Sequence, residues 1–472
     1  MIDTKALKEK ILDLAMRGKL VEQDPIDEPV EQLLQKIKEE KEKLINEGKL
    51  KKEKARPKIE PKEIPYILPR NWQWVRLGEV LSLLNGDRGK NYPSQKYFQR
   101  TGIPIINAGA LGKIEINNEK LNYISEEKFS MLKAGFVKKN DILYCIRGSL
   151  GKSSINTLDR GAIASSLVII RPFAEMNIKY IYYILISKLG ENQIKMEENG
   201  TAQPNLSADS LKKFLLPFPS LKEQNLIVQK IEEVFSKIDL LERSLEEVNY
   251  FANLVDRKVL EVAMQGKLVK QESTDEPASE LIEKIKEKKG ILVQEKKIKN
   301  EKKLLKIAKE EIPYTVPENW QWVRMNEIAY QISAGGDKPK IFSLTKDENY
   351  NVPIFSNGKN KQGLFGYAKE AKIFEKAITI SARGTIGFSV VRTEPFVPIV
   401  RLLTIILLES NELFFKYYFD FAILAGEGSS IPQLTVPTLQ AKVIPLPPLN
   451  EQNRIVTRIE LLQSLTEKLR NK

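Results

Sequence analysis

The sequence predicts an α+β fold: two mixed α/β domains separated by a pair of long antiparallel coiled-coil helices, built as a pseudo-twofold internal repeat. Three observations carry this reading. Apolar residues recur in steps of four and three without a slip at Ile227, Ile231, Val234, Ile238, Leu241, Leu245, Val248, Ala252, Val255, Val259 and Val262. That 3.5-residue period is the seam of a helix that faces a partner helix. Residues 15–21 (AMRGKLV) return as 263–269 (AMQGKLV), and residues 63–76 (EIPYILPRNWQWVR) return as 311–324 with 11 of 14 positions identical, both at an offset of 248. Residues 219–232 (PSLKEQNLIVQKIE) return as 447–460 (PPLNEQNRIVTRIE) at an offset of 228. Between the matched blocks lie two stretches that are much less alike, so two similar frames hold two divergent inserts.

The offsets also identify the partner of the central helix. Adding 228 carries the first part of the seam onto Ile455, Ile459, Leu462, Thr466 and Leu469. Subtracting 248 carries the remainder onto Thr4, Leu7, Ile11 and Leu14. The C-terminal and N-terminal helices are therefore expected to be two halves of one copy of the central helix, paired antiparallel with it, so that the chain ends lie close together. The expected divisions are an N-terminal helical region at 1–62, a first insert at 63–218, a central coiled-coil region at 219–310, a second insert at 311–446 and a C-terminal helix at 447–472.

After each rod a Gly-Lys-Leu-Val turn leads into a short helix, with Asp27 and Asp275 as expected N-caps and Pro29 and Pro277 in the first turn. Lysine-rich linkers follow at 49–62 and 296–309. The first insert opens at Ile64-Pro65-Tyr66, then gives strand-like runs at 103–106, 141–146 and 167–170 and a helix-like run at 180–185. The second opens at Ile312-Pro313-Tyr314 and repeats the order at 352–355, 377–381, 402–408 and 412–421.

Composition narrows the function. With 42% hydrophobic residues in a chain of 472, sizeable cores are expected. No apolar run reaches the roughly 18 residues of a membrane span, and the longest candidate, 399–408, is interrupted by Arg401 and Thr404. The first residues do not read as a signal peptide, and the single cysteine, Cys145, rules out a disulfide framework or a cysteine-rich zinc site. A cytoplasmic location is the expectation. The absence of histidine removes Ser-His-Asp and Cys-His catalysis and histidine-ligated metals. A net charge of +13 favours a polyanionic partner, although lysine-rich helices alone also raise it.

Three matched features are candidates for contact with nucleic acid. Arg147-Gly148-Ser149-Leu150-Gly151 corresponds to Arg383-Gly384-Thr385-Ile386-Gly387, each after a strand-like run. Glycine permits close backbone approach, while Arg147, Ser149, Arg383 and Thr385 suit phosphate or a guanine edge; a hairpin with an exposed arginine explains them equally well. Lys152 belongs to the first turn, but Gly151-Lys152-Ser153 is not a nucleotide-binding loop, because Ile146 stands where its first glycine is required. Short basic loops, with Arg88 and Lys90 in one insert and Lys338 and Lys340 in the other, suit a groove edge, as does Lys359; a solvated loop is the commoner meaning. Gln203 and Asn205, matched by Gln433, suit adenine edges or a helix cap. All four tryptophans, Trp72, Trp74, Trp320 and Trp322, lie in the repeated openings and are expected to pack rather than to stack on bases. No methyltransferase motif, cofactor loop or catalytic pair is present.

These residues resemble the DNA-specificity subunit of type I restriction–modification systems. The resemblance rests on Gly18-Lys19-Leu20-Val21 with Asp27-Glu28-Pro29, the Leu68-Pro69, Asn71-Trp72 and Trp74 opening, Arg147-Gly148-Ser149, and Pro217-Phe218-Pro219 leading into Glu223-Gln224, each with its second-half counterpart. It covers essentially the full chain. It implies two target-recognition domains, each reading one half of a split sequence in double-stranded DNA. It also implies helices that act as spacer and as docking surface for two methyltransferase subunits, with restriction–translocation subunits added. No cofactor, no catalysis by the chain itself and no membrane partner are implied. The second insert departs from the pattern in having Ile431-Pro432 where the first has Gln203-Pro204. The alternative is a self-contained DNA methyltransferase or endonuclease with fused recognition domains, and a third reading is a coiled-coil adaptor with no DNA role.

Overall fold

The computed structural model describes residues 2–24, 26–52, 57–87, 92–197, 205–298, 305–424 and 434–471, in two compact units, 2–244 and 245–472. The boundary falls inside one continuous helix, Leu221–Met264, whose 44 residues give a length of about 66 Å.

In the first unit, helix Thr4–Met16 starts at Asp3, whose side chain accepts from the Ala6 amide at 2.9 Å. It runs antiparallel to the first part of the central helix. Lys8 reaches Asp239 and Glu242 at 2.5 and 3.4 Å, while Gln23, beyond its C-terminal end, reaches back to Glu223. In the second unit, helix Leu449–Arg470 runs antiparallel to the other part. The Thr466 hydroxyl donates to Asp256 at 2.7 Å, and Arg470 reaches Asn253 at 2.9 Å as well as Asp256. Each terminal helix thus pairs antiparallel with the part of the central helix that it does not itself copy, as the expected antiparallel arrangement requires. The seam is buried at Ile227, Ile231, Ile238, Ala252 and Val259. Val248 and Val255 are exposed instead; Val248 lies beyond Arg470, where the C-terminal helix has ended.

Among the described residues each unit carries three small sheets. In the first, β1 (Gln73–Arg76) pairs with β9 (Leu215–Phe218). A four-stranded antiparallel sheet has the order β2 (Leu81–Asn85), β8 (Leu167–Pro172), β5 (Ile142–Cys145), β6 (Ser153–Ile155). In a third, β3 (Ile103–Ile106) lies between β4 (Asn122–Ile124) and β7 (Ala162–Ile163), parallel to the latter. The second unit repeats this plan. There β10 (Gln321–Arg324) pairs with β18 (Val443–Leu446), and the four-stranded order is β11 (Ala329–Ala334), β17 (Leu403–Leu407), β14 (Ala377–Ile380), β15 (Ser389–Arg392). Strand β12 (Val352–Phe355) lies between β13 (Leu364–Ala368) and β16 (Val397–Pro398).

The unbroken apolar runs of β5 and β8 follow from burial on both faces. Ile142, Tyr144, Val168 and Ile170 face a core built with helix Ile178–Ile186; Leu143, Cys145, Leu167 and Ile169 face a smaller core with Ile106 and Ile163. Successive residues point to opposite faces of a strand, so no position in these runs is left for a polar side chain.

The repeated motifs converge on one joint per unit. The Glu223 carboxylate, buried at 6% exposure, accepts from the Trp72 indole at 2.8 Å and from the Gln23 amide. Gln224 accepts from the Asn177 amide at 3.0 Å and Asn225 from the Asn177 side chain at 2.7 Å, which fastens the start of helix Ile178–Ile186 to the rod. The second unit uses Glu451 with Gln271, Gln452 with the Asn411 amide at 2.9 Å, and Asn453 with the Asn411 side chain at 2.7 Å. The Trp320 indole lies beside Glu451 without closing a well-formed hydrogen bond. Burial pushes both the Glu223 and Glu451 carboxyls above their ordinary pKa, against the opposing hydrogen bonds. Gly18 and Gly266 sit at φ +63° and +68°, and a Cβ there would lie 2.4 Å from Pro69 Cγ or Pro317 Cγ. All four tryptophans therefore pack, as expected, and Trp72 and Trp320 do so against the rod glutamates. Trp72 and Trp320 are buried, while Trp74 and Trp322 pack edge-on against Tyr66 and Tyr314 at 5.0 and 5.1 Å.

One local expectation is corrected. Asp27 and Asp275 are not N-caps: the short helices are Val30–Asn46 and Ala278–Gln294, with Pro29 and Pro277 at the cap positions. The aspartates stand two residues before those caps, and their carboxylates are held elsewhere. Asp27 accepts from the Ser220 hydroxyl, and Asp275 takes both Nη atoms of Arg454, at 3.1 and 2.5 Å.

Candidate nucleic-acid interface

Strand polarity gathers the candidate residues. Since β2 and β5 both run antiparallel to β8, their C-terminal ends lie beside its start. Strand β7 runs parallel to β3 and leads into that same start. One end of the first domain therefore carries Asn85-Gly86, Asn107-Ala108, the turn after β5, and Ala164-Ser165-Ser166. The corresponding end of the second domain carries Gly335-Gly336, Asn357-Gly358-Lys359, the turn after β14, and Ile399-Val400-Arg401.

In the first domain the turn after β5 is a hairpin with Gly148 and Gly151 at φ +81° and +79°. Arg147 and Ser149 are exposed on it. The buried Cys145 thiol, whose pKa is pushed up by burial, donates to the Arg147 carbonyl at 3.1 Å and braces the turn from below. Asn205 is exposed and forms an antiparallel bridge with Arg147, next to a Leu206 amide that donates to the Ile146 carbonyl at 2.9 Å. Arg147, Ser149 and Asn205 are thus brought together. Lys152 is exposed, and its ammonium donates to the Ala108 carbonyl at 2.9 Å, so it also ties two loops of this end. Arg88, Lys90, Gly200, Gln203 and Pro204 lie outside the described residues.

In the second domain Arg383 is exposed on the turn after β14, with Gly384 and Gly387 at φ +69° and +84°. The Thr385 hydroxyl points the other way. It is buried and finds no hydrogen-bond partner among the described residues. Lys359 joins the same end through its neighbours: the Gly358 amide donates to the Ser381 hydroxyl at 3.2 Å, and the Ala382 amide to Asn357 Oδ1 at 2.8 Å. Lys338 and Lys340 are exposed just beyond Gly336, whose carbonyl accepts from the Val400 amide at 2.8 Å. Gly428, Ile431, Pro432 and Gln433 lie outside the described residues.

The glycines of the two basic loops have a packing role that sequence reading did not assign. A Cβ on Gly86 would lie 2.7 Å from the Ala164 carbonyl oxygen, and one on Gly335 would lie 2.6 Å from Ile399 N. Both glycines let the loop press onto an equivalent four-residue turn, closed by Leu167 N to Ala164 O at 2.9 Å and by Leu402 N to Ile399 O at 3.0 Å. The central residues differ: Ser165-Ser166 in the first turn, Val400-Arg401 in the second. Val400 and Arg401 stand at φ +52° and +59°, whereas neither serine has positive φ. For residues other than glycine each such conformation costs on the order of 1–3 kcal/mol. Arg401 was visible in the sequence only as a charge interrupting an apolar run. Nothing in Val-Arg signals a turn normally written Asn-Gly.

A family model described as the type I restriction modification DNA specificity domain matches residues 69–250 and 317–472. The chain is 26% identical over 547 residues to the type I restriction enzyme EcoAI specificity subunit of Escherichia coli, covering 99% of this chain and 90% of that protein. It is 28% identical over 380 residues to the EcoEI specificity subunit of the same organism, covering 70% of this chain and 63% of that one. Among solved structures, a chain from work on assembly and conformational transition of the type I R-M system is similar with a TM-score of 0.64, at 19% identity, covering 86% of this chain and 94% of that one. The HsdS subunit from Thermoanaerobacter tengcongensis is similar with a TM-score of 0.52, at 20% identity, covering 87% and 93%. At these identities the two structures speak to the fold.

Proposed function

The chain belongs to the type I restriction modification DNA specificity family, and from that premise we propose how its two inserts do their work. It is the DNA sequence-recognition subunit of a type I restriction–modification complex, with one half of a split target read by each recognition domain. The recognition domains are residues 63–218 and 311–446, and residues 1–62, 219–310 and 447–472 form the helical frame. One observation carries the reading: two units share one sheet plan and matched joints built on the same repeated residues, yet present different side chains at the same strand end. Matched joints hold two readers alike; different tips let them read different bases.

In this reading Arg147, Ser149, Lys152 and Asn205 in the first domain, and Lys338, Lys340, Lys359 and Arg383 in the second, face double-stranded DNA. Arg88, Lys90, Gln203 and Gln433 remain candidates from the sequence, while Thr385, whose hydroxyl is buried, can contribute only through its backbone. Phosphate contacts by these cations make binding fall steeply with salt. The helical faces not used in the rod pairing seat two methyltransferase subunits, to which restriction–translocation subunits are added. Chemistry belongs to those partners, and the complex works in the cytoplasm without a cofactor held by this chain. Among the described residues no helix is long and apolar enough to cross a membrane.

Long-read mapping of methylated adenines in a host carrying this chain and its methyltransferase partner tests the proposal. A split motif with a fixed spacer is expected. A continuous motif, or methylation that does not depend on this chain, would overturn it.

A further inference from the structure

We propose that the turn at residues 399–402 is a specificity-determining element of the second domain, in which Arg401 reads a guanine edge and Val400 supplies an apolar contact beside it. The proposal rests on the reading of this chain as a DNA-recognition subunit and extends it to residues that the sequence did not single out.

Three observations carry it. First, the turn is strained where its first-domain equivalent is not. Val400 and Arg401 are at φ +52° and +59°, the pattern of a type I′ turn, which asparagine and glycine fill without penalty. A β-branched residue is among the least suited to that region. Strain of this kind persists only where the surroundings over-determine it. Here they do: Val400 N donates to Gly336 O at 2.8 Å, Arg401 N to Gly335 O at 2.9 Å, and Asn357 Nδ2 to Val400 O at 2.7 Å. The backbone is clamped from two sides while both side chains stay outside.

Second, what is held out is chemically unusual for a turn. Val400 is 48% exposed, and Arg401 is exposed with no ion pair or hydrogen bond to its guanidinium among the described residues. A fork of donors on a rigid turn suits the O6 and N7 acceptors of guanine, and an exposed valine methyl suits the thymine methyl in the same groove. Third, the turn lies at the strand end that also presents Lys338, Lys359 and Arg383. Its first-domain equivalent presents Ser165-Ser166, short hydroxyls that read bases differently. Equivalent turns with unlike side chains are what two unlike half-sites require.

The test uses the assembled complex with its methyltransferase partner, with methylated sites mapped by long-read sequencing and the complex also titrated with DNA duplexes carrying single-base changes. In Arg401→Ala, one position of the half-site read by the second domain is expected to lose its guanine preference by about ten- to a hundredfold. The other half-site and the spacer stay as in wild type. A V400N/R401G variant, which writes the favoured turn sequence, is expected to melt no lower than wild type while showing the same relaxation; a purely structural role for the turn would not separate stability from specificity in this way. Uniformly weaker binding with an unchanged motif, and a salt slope reduced by about one, would mean a phosphate contact and overturn the base-reading assignment. If Arg401→Ala abolishes methylation and binding, Arg401→Lys decides. It keeps the charge and loses the fork, so a relaxed motif supports the proposal and an unchanged one overturns it. A wild-type complex without any split motif would instead count against the recognition function itself.

Discussion

Replacing Gly18 by alanine tests whether the repeated glycines are fixed by the joint or only by the turn. Gly18 has φ +63°, and an added Cβ would lie 2.4 Å from Pro69 Cγ, 3.0 Å from Pro69 Cδ and 3.2 Å from Trp72 Cζ2. Gly48 has nearly the same backbone, φ +68°, but a Cβ there meets nothing within 4 Å. Both substitutions carry the left-handed penalty of roughly 1 kcal/mol, partly offset by the stiffer unfolded chain. Only Gly18→Ala adds the cost of forcing a methyl into a packed site, about 1–3 kcal/mol. The expected totals are about 2–4 kcal/mol for Gly18→Ala and about 1 kcal/mol or less for Gly48→Ala. For a unit of this size, 1 kcal/mol moves Tm by about 2–4 °C, so the shifts are roughly 4–16 °C against at most about 4 °C. Scanning calorimetry of the full chain reads them. The Gly18 shift belongs to the transition of the first unit, and Gly266→Ala, whose Cβ would lie 2.4 Å from Pro317 Cγ, should lower the other transition. Equal shifts for Gly18→Ala and Gly48→Ala would refute the packing argument and leave only the backbone term.

The buried glutamates make stability depend on pH. Burial raises the Glu223 carboxyl, so the folded chain keeps this proton where the unfolded chain has lost it. The stabilisation is complete below the ordinary carboxylate range and is lost as pH rises through the raised value. Glu223→Gln should flatten that decline in the first unit. The slope is the measure, because the amide also loses one accepted hydrogen bond at every pH; an unchanged slope in denaturant titrations from pH 4 to 8 would contradict the assignment. In the second unit Asp275 opposes the trend, since Arg454 holds its carboxyl below the usual range and that stabilisation is lost as pH falls. Asp275→Asn should therefore reduce the acid sensitivity of the second transition, read in titrations extended below pH 4, where that stabilisation is lost. Finally, inserting one heptad into the central helix lengthens it by about 10 Å, and selection from a random-spacer DNA library should return a longer spacer with both half-sites unchanged. An unchanged spacer would end the view of the helix as a ruler.

What could be read from the sequence follows from which residues do the same work twice. Glu223-Gln224-Asn225, Trp72 and Gly18 recur because each joint needs a buried carboxylate acceptor, an indole packed beside it and a glycine in the left-handed region. Such needs leave identical letters at fixed offsets. The central strands were legible because β5 and β8, buried on both faces, appear as unbroken apolar runs, and β14 and β17 as apolar runs with one buried threonine each. Asp27 misled because an aspartate ahead of a proline and an apolar run is also how a helix cap is written. Only the fold shows the Ser220 hydroxyl that claims it. Lys152 could be read as a cation but not as a donor to the Ala108 carbonyl, 44 positions away. The Val400-Arg401 turn could not be read at all, because the clamp that imposes it comes from Gly335, Gly336 and Asn357, distant residues whose letters do not mention it.

The same division explains how one frame carries two readers. At the joints, side chains make the bonds: remove the Glu223 carboxylate and the Trp72 indole loses its acceptor, while the Gln23 amide keeps only the Gly18 carbonyl. At the four-residue turns the bonds run chiefly through the backbone, as with Leu167 N to Ala164 O and Leu402 N to Ile399 O, and these bonds are indifferent to which side chains project. Substitution at a joint therefore removes a bond that holds the domain in place, whereas substitution at a turn changes what projects from that strand end and leaves the backbone bonds in place. Val400-Arg401 shows how far this tolerance extends, since the clamp holds even a β-branched residue in the left-handed region. A chain built this way can vary the side chains at those strand ends without altering how its domains are seated.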